Sequence, residues 1–214
     1  MRFWLLFPFC CLFACSPKVP EEINGYVMVE AESYLKQTQD DIRRWEIIDS
    51  DSPKKNLVDP DESHHETASG RAYLEALPDT RVTHDDVLTP GVNFSNEPGK
   101  MAIVDYKIKF NTPGRYYVWV RAFSSGAEDN GIHVGLNGEW PESGQRMQWC
   151  EGKKQWTWDS KQRTKEVHCG EEKLLYLDIP EAGVHKISFS LREDGFEFDA
   201  FVLSQAYVSP DNRP

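Results

Sequence analysis

Apolar and polar residues alternate with a period of two along most of this chain, and sustained helical periodicity is nearly absent. Within 101–110, Ala102, Val104, Tyr106, Ile108 and Phe110 fall on one face. Tyr116, Val118 and Val120 repeat the pattern against Tyr117, Trp119 and Arg121, and Ile132, Val134 and Leu136 follow. Similar runs occupy 26–32, 175–179, 184–191 and 196–203. A strand sends successive side chains to opposite faces, so this spacing predicts strands that each turn one face to a core. Turn formers separate them: Thr112-Pro113-Gly114, Asn137-Gly138, Glu181-Ala182-Gly183 and Asp194-Gly195. Only 33–44 is compatible with a helical turn.

One plan occurs twice. Phe110-x-x-Pro113-Gly114-x-Tyr116-x-Val118 and Ile179-x-x-Ala182-Gly183-x-His185-x-Ile187 each end a strand at a glycine turn and begin another. Two tight hairpins within a run of roughly eight strands predict an all-β, jelly-roll β-sandwich. The 214 residues suffice for one such domain, expected over 25–207 with a tail at 208–214. The stretches 49–69 and 78–100 are long, polar and without period, as expected of functional loops. A formal charge of −11 argues against a nucleic-acid partner, which calls for a basic surface.

The N-terminus carries Arg2 and an apolar run over 3–13, too short to span a bilayer. Leu12-Phe13-Ala14-Cys15 resembles the lipobox of bacterial lipoproteins, with Phe13 bulkier than usual. That resemblance implies a signal peptide at 1–14, lipidation of Cys15 and a tether at 15–24. Ser16 is similar to the outer-membrane sorting pattern, placing the protein at an outer membrane or cell surface through its lipid anchor. Of the five cysteines, Cys10 and Cys11 would leave with the signal. Cys150 and Cys169 remain for a disulfide, whose loop of roughly 20 residues contributes on the order of 3 kcal/mol. The alternative is a metal pair with His168, but two cysteines and a histidine without C-x-x-C spacing make a poor zinc set.

Three further stretches together resemble the galactose-binding-like sandwich of carbohydrate-binding modules, families six and thirty-five, and the C-terminal module of α-glucuronidases. They are Val29-Glu30-Ala31-Glu32; the segment 113–121 leading to Asp129-Asn130-Gly131 and Asn137-Gly138; and the closing Arg192-Glu193-Asp194-Gly195-Phe196-Glu197-Phe198-Asp199. The resemblance implies a non-catalytic, polysaccharide-binding lipoprotein placed near glycan-degrading enzymes. On a strand, Glu30 and Glu32 share a face and must be solvated or neutralised, which oxygen-ligated Ca²⁺ does. The resemblance implies a structural calcium at Glu30 and Glu32, closed by Asp199.

Trp140, Trp149, Trp156 and Trp158 crowd a polar, lysine-rich segment. Such rings either pad the disulfide or stack on pyranose faces, with Trp156 and Trp158 forming a platform if extended and Trp140 beside them. Trp45 and Trp119 lie in alternating strands, as core residues do. Asp129, Asn130, Arg192 and Glu193 sit in turns that a sandwich gathers at one end. Arg192 suits the carboxylate or sulfate of an acidic sugar, and Arg71 and Arg146 are weaker candidates. An enzyme reading could use Glu193 with Asp194 or Glu128 with Asp129, but adjacent turn acids do not imply the separation a glycosidase needs. His64-His65-Glu66 lacks the spacing of a zinc hydrolase, and no nucleophile elbow, phosphate loop or dinucleotide fingerprint occurs. An adhesion or envelope-assembly module binding a protein is the third reading.

Overall fold

A computed structural model describes residues 19–212. The expected signal segment at 1–14 and the expected lipidation site Cys15 lie outside the described residues. The strands are β1 (Tyr26–Glu30), β2 (Lys36–Thr38), β3 (Arg44–Ile48), β4 (Tyr73–Leu77) and β5 (Ile103–Phe110). Then come β6 (Gly114–Phe123), β7 (Gly131–Leu136), β8 (Met147–Gln148), β9 (Thr157–Asp159) and β10 (Lys161–Gln162). The last four are β11 (Glu171–Glu172), β12 (Tyr176–Ile179), β13 (Gly183–Leu191) and β14 (Glu197–Ser204).

They form two seven-stranded antiparallel sheets, the jelly-roll β-sandwich expected from the alternation. One sheet runs β12-β6-β14-β4-β3, with β1 on β14 and β9 on β6; the other runs β11-β10-β8-β7-β13-β5-β2. The inward side chains are those the period predicts. Val104, Ile108, Tyr116, Val118, Val120, Ile132, Ile187 and Phe189 are fully buried in the core between the sheets. Trp45 joins them, donating Nε1–H to the carbonyl of Ala102 at 2.7 Å. Trp119 is buried on the opposite face of β6, under Tyr207. In β14 a bulge falls between Phe198 and Ala200, so Phe198 and then Phe201 and Leu203 point inward while Asp199 is turned out.

Several expectations are corrected. The repeated glycine turns are not hairpins: each carries the chain from one sheet to the other. β5 pairs with β13, and β6 with β12, so the two arches lie side by side, Phe110 opposite Gly183 and Gly114 opposite Ile179. A turn motif fixes where the chain bends, not which edge it then joins. Of the stretch 33–44, only Ser33 is helical, as the end of a 3-10 turn at Ala31–Ser33; β2 and β3 follow. The expected tether is docked in its described part. Glu22 is fully buried and accepts N–H bonds from Gly25, from Asn111 at 2.8 Å and from Thr112 at 2.9 Å.

Candidate functional site

Loops from both sheets converge at one end of the sandwich. The β4–β5 connection (78–102) is tied to the β13–β14 turn: the Ser95 N–H donates to the carbonyl of Arg192 at 2.8 Å, and Phe94 bridges to Glu193. His133 on β7 links two further loops. Its Nε2 lies 3.0 Å from the carbonyl of Ser95, and its Nδ1 accepts the Arg146 N–H at 3.0 Å. These bonds require the neutral ring, and burial, with Arg192 and Arg146 nearby, holds His133 down at about 3. Between the loops lies a cavity of about 710 Å³.

The cavity wall is polar and basic. Arg81, Arg146, Arg163, Lys165 and Arg192 line it, against the carboxylates Glu128, Glu142 and Glu193. All three acids are already held: Glu128 by Arg81 and His84, Glu142 by Arg146, and Glu193 by Arg192. Gln148 lies at the centre. Its Oε1 accepts from Arg192 at 3.1 Å and from Arg163 at 3.4 Å, and its Nε2 donates to Asn130. Burial lowers the proton affinity of the Arg192 guanidinium, Glu193 opposes that, and Arg163 and Arg146 add to it. Phe94 offers a ring to the cavity, with the Arg192 guanidinium 5.0 Å from its centroid.

No family model matches the chain. It is similar to the uncharacterized protein P23 of Formosa agariphila, at 61% identity over 196 residues that cover 91% of this chain and 48% of that protein. The chain thus spans about half the length of the curated relative it matches. Among solved structures it is similar to a Podospora anserina GH26-CBM35 β-(1,4)-mannanase, with TM-score 0.46 and 14% identity over 90% of this chain and 29% of that one. A Paenibacillus xanthan lyase gives TM-score 0.46 and 14% identity, over 84% of this chain and 13% of that one. An exo-β-1,3-galactanase from Phanerochaete chrysosporium gives 0.42 and 10%, over 85% and 30%.

Of the residues expected to bind a ligand, Arg192 and Glu193 line the cavity, as does Arg146, while the others divide. Asp129 is turned into its own loop, accepting from Ser124 Oγ at 3.0 Å and from the N–H groups of Ser125 at 2.6 Å and Gly126 at 3.1 Å. Asn130 is buried beside it, taking up Glu193 and Gln148. Both shape the wall from behind. Arg71 is exposed on the 3-10 turn Ser69–Arg71, outside the cavity lining.

Trp140, Trp156 and Trp158 all lie outside the cavity lining. Trp156 packs on a second small core of Ile48, Ala68, Tyr73 and Leu77, outside the sheet. Its ring meets Tyr73 at 5.2 Å and Phe123 at 5.5 Å, and its Nε1 donates to the His64 carbonyl at 3.3 Å. Trp158 lies half-buried in β9, opposite Arg121. Trp140 lies so close over Gly99 and Gly135 that a Cβ at either would meet it within 3.0 Å. Trp149 is core, 5.2 Å from Phe196. The disulfide is present, linking Cys150 to Cys169 at a Cα separation of 5.4 Å, and the segment it closes carries Arg163, Lys165 and His168 to the cavity.

The three expected calcium ligands are neighbours, but not on one strand face. β1 ends at Glu30, and Glu32 belongs to the 3-10 turn. Burial, then the charges of Glu30 and Asp199, push the Glu32 carboxyl up to about 7. Glu30 Oε2 and Glu32 Oε2 are buried without a hydrogen-bond partner, which fits a hard cation. Asp199 fits less well: it accepts the Ser69 N–H at 2.9 Å and is paired with Arg121. Among the described residues, no group of three or more His, Cys, Asp or Glu side chains is arranged to hold a metal.

Cavity residues that sequence reasoning missed include Arg81, Phe94, Gln148, Arg163 and Lys165, and His168 was weighed only as a metal partner of the two cysteines. Arg163, Lys165 and His168 lie within the Cys150–Cys169 bracket, the one sequence signal that pointed near them. Arg81 and Phe94 lie in the aperiodic loop expected to be functional.

Proposed function

We propose that this protein binds a polysaccharide without cleaving it, and that the cavity between the loops is the binding site. The cavity itself carries the reading: its volume of about 710 Å³ lies in the range of ligand pockets, and its wall combines a ring with hydrogen-bonding groups. Each lining carboxylate is engaged by an arginine, which favours binding over hydrolysis by a free acid and base. Calcium between Glu30 and Glu32 would offset their crowded charge and stiffen the β1–β2 connection. Lipidation at Cys15 would hold the module at an outer membrane or cell surface, beside enzymes that degrade the same glycan.

The test is affinity electrophoresis and calorimetry against a panel of polysaccharides, with each mixture assayed for new reducing ends and for absorbance of unsaturated products. Binding without products, weakened by Phe94→Ala, supports the reading. Products formed by the wild type and lost in a cavity variant would make it an enzyme. Absence of any glycan binding would favour a protein-binding module.

A further inference from the structure

The charge of the cavity opposes the charge of the chain. At −11 overall, the protein repels polyanions at long range, yet its cavity gathers five basic side chains against three carboxylates. The three acids are each tied to an arginine, and among the described residues Arg163 and Lys165 have no carboxylate within salt-bridge reach in the cavity. Like charges repel, and stacking several without counterions costs folding stability.

The hydrogen bonding is also incomplete. Arg163 and Arg192 both donate to a single amide oxygen, Gln148 Oε1, at 3.4 and 3.1 Å. Arg192 lines the cavity but is only 2% exposed, and its Nε–H is buried without an acceptor. Arg81, 8% exposed, has an orphan Nε in the same wall. A buried donor without an acceptor is costly, and a guanidinium edge is shaped for two oxygens of one anion. His168 completes this side, and burial together with Arg163 and Arg192 holds its imidazole below the usual histidine range.

We infer that Arg163 and Arg192, converging at Gln148, form a subsite for an anionic substituent on a glycan, a sulfate ester or a carboxylate. This rests on the reading of the cavity as a glycan site. The anion supplies acceptors to two guanidinium groups that otherwise share one amide oxygen, and it neutralises Arg163, which has no carboxylate partner among the described residues, while the sugar ring that bears it lies toward Phe94. Selection occurs inside the cavity, because the acidic exterior disfavours indiscriminate adsorption of polyanions.

The experiment compares two pairs of probes: ι-carrageenan with its chemically desulfated product, and polygalacturonate with its methyl ester. Calorimetry and affinity gels are run on the wild type, Arg163→Ala, Arg163→Lys, Phe94→Ala and Lys107→Ala. Arg163 is half-buried, so its removal leaves the core intact, and unchanged melting confirms this for each variant. At least one charged polymer should bind at least about tenfold more tightly than its neutralised partner. Arg163→Ala should remove about tenfold, Arg163→Lys should restore little because it lacks the fork, and Lys107→Ala, outside the cavity, should change nothing. Inorganic sulfate should compete better than chloride at equal ionic strength if the sulfated series is preferred. Equal binding of charged and neutralised polymers, weakened by Phe94→Ala but not by Arg163→Ala, overturns the anion subsite and leaves the glycan site standing. No binding to any of the four probes, with binding to a neutral polysaccharide of the wider panel, overturns the anion subsite alone, and no binding to any polysaccharide overturns both.

Discussion

Replacing Glu75 by glutamine should change how the stability of this protein depends on pH. Glu75 on β4 lies directly opposite Glu197 on β14, and both carboxyls are buried, at 2% and 1% exposure. Tyr73 Oη stands 3.5 Å from Glu75 Oε2, and His64 Nδ1 stands 2.9 Å from both oxygens of Glu197. Asp59, Asp61 and Asp79 add negative charge around Glu75. Burial first, then Glu197, pushes the Glu75 carboxyl well above 4.5. Below pH 4.5 the folded and unfolded chains both hold this proton and stability is unaffected. As the pH rises above 4.5, the unfolded chain releases it while the fold retains it, so stability falls until the folded value is reached. One such group contributes a slope of about 1.4 kcal/mol per pH unit. For a domain of this size that is roughly 3–6 °C of Tm per pH unit. Glutamine keeps the shape and the hydrogen bond to Tyr73 but has no proton to retain. Thermal melts followed by circular dichroism from pH 5 to 8 should show Glu75→Gln gaining on the wild type with each unit. Parallel curves, or a variant that loses ground as pH rises, would refute the buried-proton argument.

Chelation by EDTA should lower Tm and Ca²⁺ should restore it, by about 2.7 kcal/mol at a hundredfold excess over Kd; Glu32→Gln should abolish the response, and identical melts with and without calcium would remove the cation from the Glu30–Glu32 pair. Joint replacement Cys150→Ser and Cys169→Ser should cost about 3 kcal/mol in urea unfolding. It should also weaken glycan binding, because Arg163, Lys165 and His168 lie between the two cysteines; unchanged affinity would detach the bridge from the site. Trp156→Ala should cost about 2–3 kcal/mol by opening the small core under Tyr73 while leaving glycan affinity intact. Lost affinity at full stability would reinstate the stacking platform.

What could be read ahead of the fold follows from how locally each property is encoded. The inward faces of β5, β6 and β13 were legible because side-chain alternation is a property of the strand itself. The bulge at Asp199 was not, since a resetting of parity depends on the partner strands on either side. The echo of the two glycine turns was real, yet its meaning changed: the repeated segments are neighbours paired edge to edge rather than separate hairpins. Trp156 illustrates the same limit. Its polar sequence neighbours suggested exposure, whereas its packing partners come from β3, β4 and the loop at 49–69.

By itself the sequence determined the sandwich class and the buried faces of the long strands, which rest on spacing along the chain, and it favoured pairing Cys150 with Cys169 as the two cysteines left after the expected signal and lipidation. Only the tertiary structure decided the site. Arg81 and Phe94 come from the β4–β5 connection, Gln148 from β8, Arg163 from the β10–β11 connection and Arg192 from the β13–β14 turn, and they meet because sheet pairing brings these segments to one end of the sandwich. Strand periodicity is set by neighbouring residues, but the field in a cavity is set by whichever charges the fold brings within a few ångströms. That is why a chain carrying −11 can enclose a basic pocket.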